Sequence, residues 1–393
     1  MILLLQIILG VFLGVLFGFI PSLHINVIGY LILLIGFFSN QFDFLFFLAF
    51  SIAQLITSII PAIVFGVPTD ETINTLFPGQ KMFLLGKAKQ AIYLCFIGYF
   101  LGVFFAILIL PILYLLFSLL SSFYILVIFV ILFILFLFIY EQKFFFDKLI
   151  VMIMILFSGV LGIFTLSYNY FFTEPIFVCI FGLFGAPTLI FSLFSNKKVF
   201  QKTEVQSLNL KNPISTSFLG ALSSLLVILI PSLSSAQSGL IISKIKKKLT
   251  SQEYLVLFSS ISISTLIFSF FLSIFFRKSR LGFISLLLSN KIIVPSINIF
   301  LFITTILFAM IFSILILVLL LDSFLKFVNK VNQVVINLTI LIFSILLILL
   351  ISGPTALFLL FLSTSIGFLP LLFNKPRVVL MSYIMFPTLL YFI

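Results

Sequence analysis

Apolar stretches of about 18 residues or more recur along the whole chain, and no other feature constrains the fold as strongly. In hydrocarbon every backbone N–H and C=O must find a partner inside the protein, so such stretches cross a bilayer as helices. The 393 residues are 63% hydrophobic and 8% charged, and the longest polar stretch, roughly 195–213, leaves no room for a soluble domain. The reading is an all-α polytopic membrane protein in the cell membrane. The N-terminal run lacks a basic region and a small-residue cleavage site, so it reads as a retained helix.

The net charge of +12 does not point to nucleic acid, because no basic patch lies on a foldable polar domain. Lys and Arg sit in short loops, where they set topology. Cys95 and Cys179 lie inside apolar segments and make neither a disulfide framework nor a metal site. With one histidine, no HExxH, no phosphate loop and no GxSxG elbow, the chain carries no enzyme signature and implies no cofactor.

Within this apolar background one stretch comes back. Ile20-Pro21-Ser22-Leu23 recurs as Ile230-Pro231-Ser232-Leu233, 210 residues later. At the same offset Gly10 falls on Gly220 and Asp43 on Glu253. Polar residues follow both copies: His24 and Asn26 in the first, Ser234, Ser235 and Gln237 in the second. One proline in such a run reads as a kink; two matched copies read as paired helix breaks, which in transporters point to a binding site. A helix N-terminus at a break offers free N–H groups and partial positive charge to a carboxylate or phosphate. Carbonyls at the other end suit Na⁺. His24 also reads either as a proton relay or as a hydrogen-bonded residue at the break.

Thr69, Thr72 and Asn74 belong to the most polar segment flanked closely by membrane sequence, 66–75. Its acids, Asp70 and Glu71, are cation ligands or proton carriers if they lie in the membrane, and a solvated loop if they do not. Asp43 and Glu253 precede helices and read as N-terminal caps.

The chain divides into an N-terminal transmembrane repeat (1–195), a basic cytoplasmic linker (196–213) and a C-terminal transmembrane repeat (214–393). Each half is expected to hold a Pro-broken re-entrant helical hairpin plus transmembrane helices. Placing all the basic loops on the cytoplasmic side (81–89, 143–148, 197–211, 244–248, 277–280, 326–330 and 375–377) requires an even number of crossings between them. Most intervals comply if 281–294 counts as a span. The segment 254–276 does not, so it is expected to be bent, with its serines at the turn, and its counterpart 44–80 likewise. On this count the halves have the same orientation; an inverted arrangement needs an odd count.

Several motifs resemble the TctA-type large membrane subunit of tripartite tricarboxylate transporters, in particular its stand-alone archaeal branch. Gly10, Gly14, Gly18, Pro21, Ser22 and Leu23 resemble a G-x-x-x-G-x-x-x-G-x-x-P-G-L motif. Val67-Pro68-Thr69-Asp70, Pro78-Gly79-Gln80-Lys81-Met82 and Gly86-Lys87-Ala88-Lys89-Gln90-Ala91 are similar to its I-P-G and G-x-P-M-x-x-x-G-K-A stretches. Pro231-Ser232-Leu233-Ser234-Ser235-Ala236-Gln237 resembles P-G-L-x-S-A-Q. Ile267-Phe268-Ser269 and Lys278-Ser279-Arg280-Leu281-Gly282 resemble its I-F-S and basic segment. Ser22, Ser232 and Thr69 stand where the pattern has glycine. The resemblance implies secondary transport of a di- or tricarboxylate driven by Na⁺ or H⁺. In relatives a small membrane subunit and an extracellular binding protein take part; nothing in this chain supplies either. A polyprenyl-phosphate or lipid-phosphate translocase, and a non-enzymatic membrane scaffold, are the other readings.

Overall fold

The computed structural model describes residues 2–20, 43–66, 73–120, 124–167, 175–194, 200–202, 212–230, 233–245, 249–279, 284 and 298–392. These residues are helical, joined by turns, and no strand occurs among them. Among the described residues seven helices are long and apolar enough to cross a membrane, in keeping with the hydropathy of the chain.

The first elements are α1 (Ile2–Gly18), α2 (Asp43–Phe65), the short α3 (Ile73–Leu84) and α4 (Ala88–Leu120). Then come α5 (Tyr124–Tyr140), α6 (Phe145–Ser167) and α7 (Pro175–Leu193), the last wound as a π-helix over Phe181–Gly185. After the linker come α8 (Pro213–Leu229), α9 (Ser235–Ile245), α10 (Ser251–Phe276) and α11 (Ile299–Lys330). The chain ends with α12 (Gln333–Ser352), α13 (Ala356–Leu372), a 3₁₀ turn (Arg377–Met381) and α14 (Ser382–Phe392).

Two helices form the centre. The apolar window of α2 is entirely buried, and that of α10 is 94% buried, whereas those of α4 and α11 are one-third buried and face outward over most of their surface. Glycines let backbones close on this centre. A Cβ on Gly10 would meet Phe46 and Ala49, on Gly14 Phe50 and Ala53, and on Gly18 Gln54 and Thr57. The three contacts advance together, so α1 and α2 run parallel. Gly98 of α4 abuts Val256 and Ser259, and Gly102 abuts Ser260 and Ile263, so α4 runs parallel to α10.

Ring and hydroxyl contacts orient α2 against α10. Phe44, at the start of α2, lies 5.4 Å from Phe270, near the end of α10. Further along α2, Tyr99 Oη lies 3.5 Å from Leu55 O, and Tyr99 sits beside Gly98 at the level of Val256. As α2 advances α10 recedes: the two are antiparallel. In α11, Phe302 neighbours Phe271 and Phe324 neighbours Phe65, so α11 is parallel to α2.

This corrects two expectations. Residues 254–276 do not bend; they lie within one uninterrupted helix, α10. Most of its serines bond to carbonyls without ending it. Ser262, Ser269 and Ser273 reach Phe258, Thr265 and Phe270 one turn back, while Ser260 and Ser264 reach Ser217 and Gly102 on neighbouring helices. The chain does turn back within 44–80, but only after one full-length helix: residues 43–65 are continuous, about 35 Å long with Pro61 inside, and the short α3 packs back on the end through Gly79 against Ile63. Each therefore crosses once. The count becomes odd, and the same-orientation reading of the halves gives way to matched helices, α2 and α10, that run antiparallel. The 281–294 segment lies outside the described residues apart from Ile284.

The basic loops follow. Lys202 N donates to Gly86 O, Gln201 pairs with Asn329, and Lys89 pairs with Asp322. These contacts gather 81–89, 200–202 and 326–330 at one end of the bundle, where α10 also begins. Lys375 pairs with Asp147 at 2.6 Å, which joins the α5–α6 and α13–α14 turns; one crossing each by α5, α12 and α13 brings these turns to the same end. The 277–279 turn differs: Arg277 and Lys278 stand at the far end of α10, with Lys278 Nζ 5.7 Å from the Phe117 ring.

Two outcomes test this arrangement. A membrane-impermeant maleimide should label Lys278→Cys from the face opposite to Lys330→Cys and Lys375→Cys; labelling of all three from one face would refute a single crossing by α10. Gly14→Ala should lower stability by about 1–3 kcal/mol in detergent melts, because its Cβ would stand 2.5 Å from Phe50 O, while lipid-facing Leu9→Ala should not.

Candidate functional site

The break at residue 230 is present. α8 stops at Leu229, Ile230 is extended (φ −106°, ψ 109°), and α9 restarts at Ser235. The two legs pack on each other and on α10. Pro231 and Ser232, between them, lie outside the described residues.

Polar side chains fix the new helix start. Ser234 is the N-cap of α9: its Oγ accepts from Gln237 N (3.3 Å), and Gln237 Oε1 accepts from Ser234 N (2.9 Å). This reciprocal pair satisfies two donors that a helix start otherwise leaves open. The N–H groups of Ser235 and Ala236, first-turn donors at the positive end of the helix dipole, have no acceptor among the described residues. Ser235, Gln237 and Ser238 are all buried. Gln237 Nε2 donates to the Met385 thioether at 3.3 Å, a weak acceptor, and Ser238 Oγ has no hydrogen-bond partner among the described residues. A buried, capped N-terminus with spare donors suits an anionic oxygen.

The expected first break falls outside the described residues: Pro21, Ser22, His24 and Asn26 lie there, as do Thr69, Asp70, Glu71 and Thr72. Asn74 falls in the first turn of α3. The approach to the first break is described. Gly18 abuts Gln54, the middle residue of α2, and Thr57. The α1 leg therefore carries the chain to about the midpoint of the central helix before it breaks.

At that midpoint the two central helices are polar. Ser51, Gln54, Thr57 and Ser58 of α2 are buried, and Ser259, Ser260, Ser262 and Ser264 of α10 are buried at the same level. Most of these hydroxyls donate to backbone carbonyls. They form a belt of mostly satisfied hydroxyls across the core, not a cluster of charged groups; the buried Ser259 Oγ has no hydrogen-bond partner among the described residues. No group of three or more His, Cys, Asp or Glu residues suited to a metal occurs among the described residues.

Glu253 serves as expected. With Thr250 it forms a capping box at the start of α10: Thr250 N donates to Glu253 Oε2 (2.9 Å), and Glu253 N to Thr250 Oγ1 (3.2 Å).

Residue-by-residue reading missed Gln201. The linker crosses the α3–α4 turn, and Gln201 is completely buried there. Its side chain donates to Phe83 O (2.9 Å) and accepts from Ala88 N (3.1 Å), capping α4, while its backbone pairs twice with the Asn329 amide. Gly86 permits this with φ +75°; a Cβ there would stand 2.9 Å from Phe200 O. A lone glutamine in a lysine-rich linker carries no signal for such a clasp.

Comparison with known proteins fits this geometry. The family model for the tripartite tricarboxylate transporter TctA family matches residues 4–382. The chain belongs to that family. It is also similar to an uncharacterized protein of Methanocaldococcus jannaschii, 31% identical over 99% of both chains. No solved structure matches it. The Gly-x-x-x-Gly face of α1 is thus the seam with α2, the Gly-Lys-Ala stretch is the turn held by Gln201, and the Ser-Ala-Gln motif is the capped start of α9.

Gln201→Ala should orphan the buried Ala88 N, at about 1–3 kcal/mol; Phe83 O keeps the Gly86 N–H (2.8 Å). A clear drop in the melting midpoint of the purified protein is expected; an unchanged midpoint would show that the clasp is dispensable.

Proposed function

We propose that this member of the family is a secondary transporter, not an enzyme, and that it carries a di- or tricarboxylate coupled to Na⁺ or H⁺. The observation that carries this is the buried N-terminus of α9, capped by Ser234 and Gln237 with the Ser235 and Ala236 N–H groups left over. A carboxylate is the ligand such donors select inside a membrane. Ser232 and Pro231 complete this tip, and Pro21, Ser22, His24 and Asn26 form the matching one. Thr69, Thr72 and Asn74 line the path, and Asp70 or Glu71 takes the coupling cation.

On this reading the chain is two halves, 1–195 and 214–393, joined by the linker 196–213. In support, α8, α10 and α11 begin about 210 residues after α1, α2 and α4. With α2 and α10 antiparallel, these halves are inverted repeats, which present equivalent sites to the two faces of a membrane. The basic end is assigned to the cytoplasm of a plasma-membrane protein. A small membrane subunit or an extracellular binding protein would have to come from other chains.

Uptake of radiolabelled citrate and succinate into proteoliposomes, with and without a Na⁺ or pH gradient, tests the reading. Saturable, gradient-dependent uptake is expected from wild type. Gln237→Ala, which uncaps α9, should reduce it at least tenfold while the protein still purifies as a folded species. Equal uptake by the variant would remove the α9 tip from the site, and no carboxylate uptake by wild type would overturn the substrate class.

A further inference from the structure

Helix packing divides the molecule into two sets. One contains α1–α4 and α8–α11; the other contains α5–α7, α12, α13 and the 377–392 segment. Among the described residues, no helix of one set packs along a helix of the other. Polar clamps respect the same division. Lys89–Asp322 and the Gln201 clasp lie inside the first set. Lys375–Asp147, Thr165–Tyr383 and Asn337–Ser192 lie inside the second. A hydrogen bond that does cross is the weak one from Gln237 to the Met385 thioether.

Each set is closely packed within itself. In the first, glycines of α1, α4 and α8 seat on α2 and α10. In the second, Gly162 seats on Tyr383, and Gly182 and Gly367 hold α7 against α13. Among the described residues the sets share an apolar core but no helix-to-helix seam. Apolar contact is non-directional, so one surface slides over the other without breaking strong hydrogen bonds. Close packing within each set resists deformation. The chain passes between the sets three times: from Leu120 to Tyr124, from Phe194 to Phe200, and from Lys330 to Gln333. At the third crossing Val331 is extended (φ −85°, ψ 148°), and Asn332 caps α12 by accepting from Val334 N (3.0 Å).

We infer that the two sets are rigid bodies that move against each other, and that the first, which owns the α8–α9 hairpin, carries the bound anion past the second. Val331–Asn332 is a pivot. The carrying role rests on the transport reading above; the movement itself does not, and it is measured separately.

Pulsed electron spin distances in lipid nanodiscs test it. Leu85→Cys in the first body, paired with Phe144→Cys in the second, reports across the divide; Leu85→Cys with Phe327→Cys reports inside the first body. All three positions are exposed, and native Cys95 and Cys179 are buried. Distances are recorded in NaCl and in choline chloride, each with and without citrate. The internal pair should give one narrow distance throughout. The cross pair should show two populations, or a shift of at least one helical turn, about 5 Å. A single unchanged distance for the cross pair in every condition overturns the inference, and so does a shift of the internal pair by as much as the cross pair. Movement of the cross pair in a protein that takes up no citrate would leave the motion standing and remove the substrate.

Discussion

The rest of the structure depends on the seam where small residues bring other helices onto α2 and α10. In a bilayer no hydrophobic effect drives helix against helix, since lipid tails are as apolar as leucine; close approach and backbone contact must do it. Gly10, Gly14 and Gly18 place α1 directly on the backbone of α2, and Gly98, Gly102 and Gly220 do the same for α4 and α8 on α10. Because these seams bury α2 and α10 from end to end, both can carry serine, threonine and glutamine at mid-membrane depth without facing lipid.

That burial explains the character of the polar belt. An unpaired polar group in hydrocarbon costs several kcal/mol, so the hydroxyls of Ser51, Thr57, Ser58 and Ser262 turn back onto their own helix, and those of Ser260 and Ser264 turn onto a neighbour's. The break between α8 and α9 solves the same problem by a capping pair, Ser234 with Gln237. The belt stabilises continuous helices, whereas the cap makes a helix end tenable inside the protein. The second presents backbone donors at a helix end.

Charge plays its part at the ends. The clasp of Gln201, the Lys89–Asp322 pair and the Lys375–Asp147 pair tie the basic end of the molecule together, each within one packed set of helices. The opposite end carries Lys278 against an aromatic ring instead of a carboxylate. Sidedness and internal division thus come from the same few polar contacts.

Hydropathy alone determined that this chain is a multi-pass helical membrane protein, because apolar runs of this length have no other stable form in water or lipid. The recurrence of Ile-Pro-Ser-Leu located the α8–α9 break, since proline removes a backbone donor wherever it falls. Glu253 marked the start of α10, since an acid near a helix N-terminus acts locally; its partner in the capping box, Thr250, came from the structure. The course of 254–276 was not legible, because a serine reads alike whether it ends a helix or bonds back onto it; which of the two occurs depends on carbonyls such as those of Ser217 and Gly102, far away in sequence. The relative direction of α2 and α10, the role of Gln201 and the division into two bodies belong to the same class. Each is decided by contacts between residues distant along the chain, and only the tertiary structure brings those residues together.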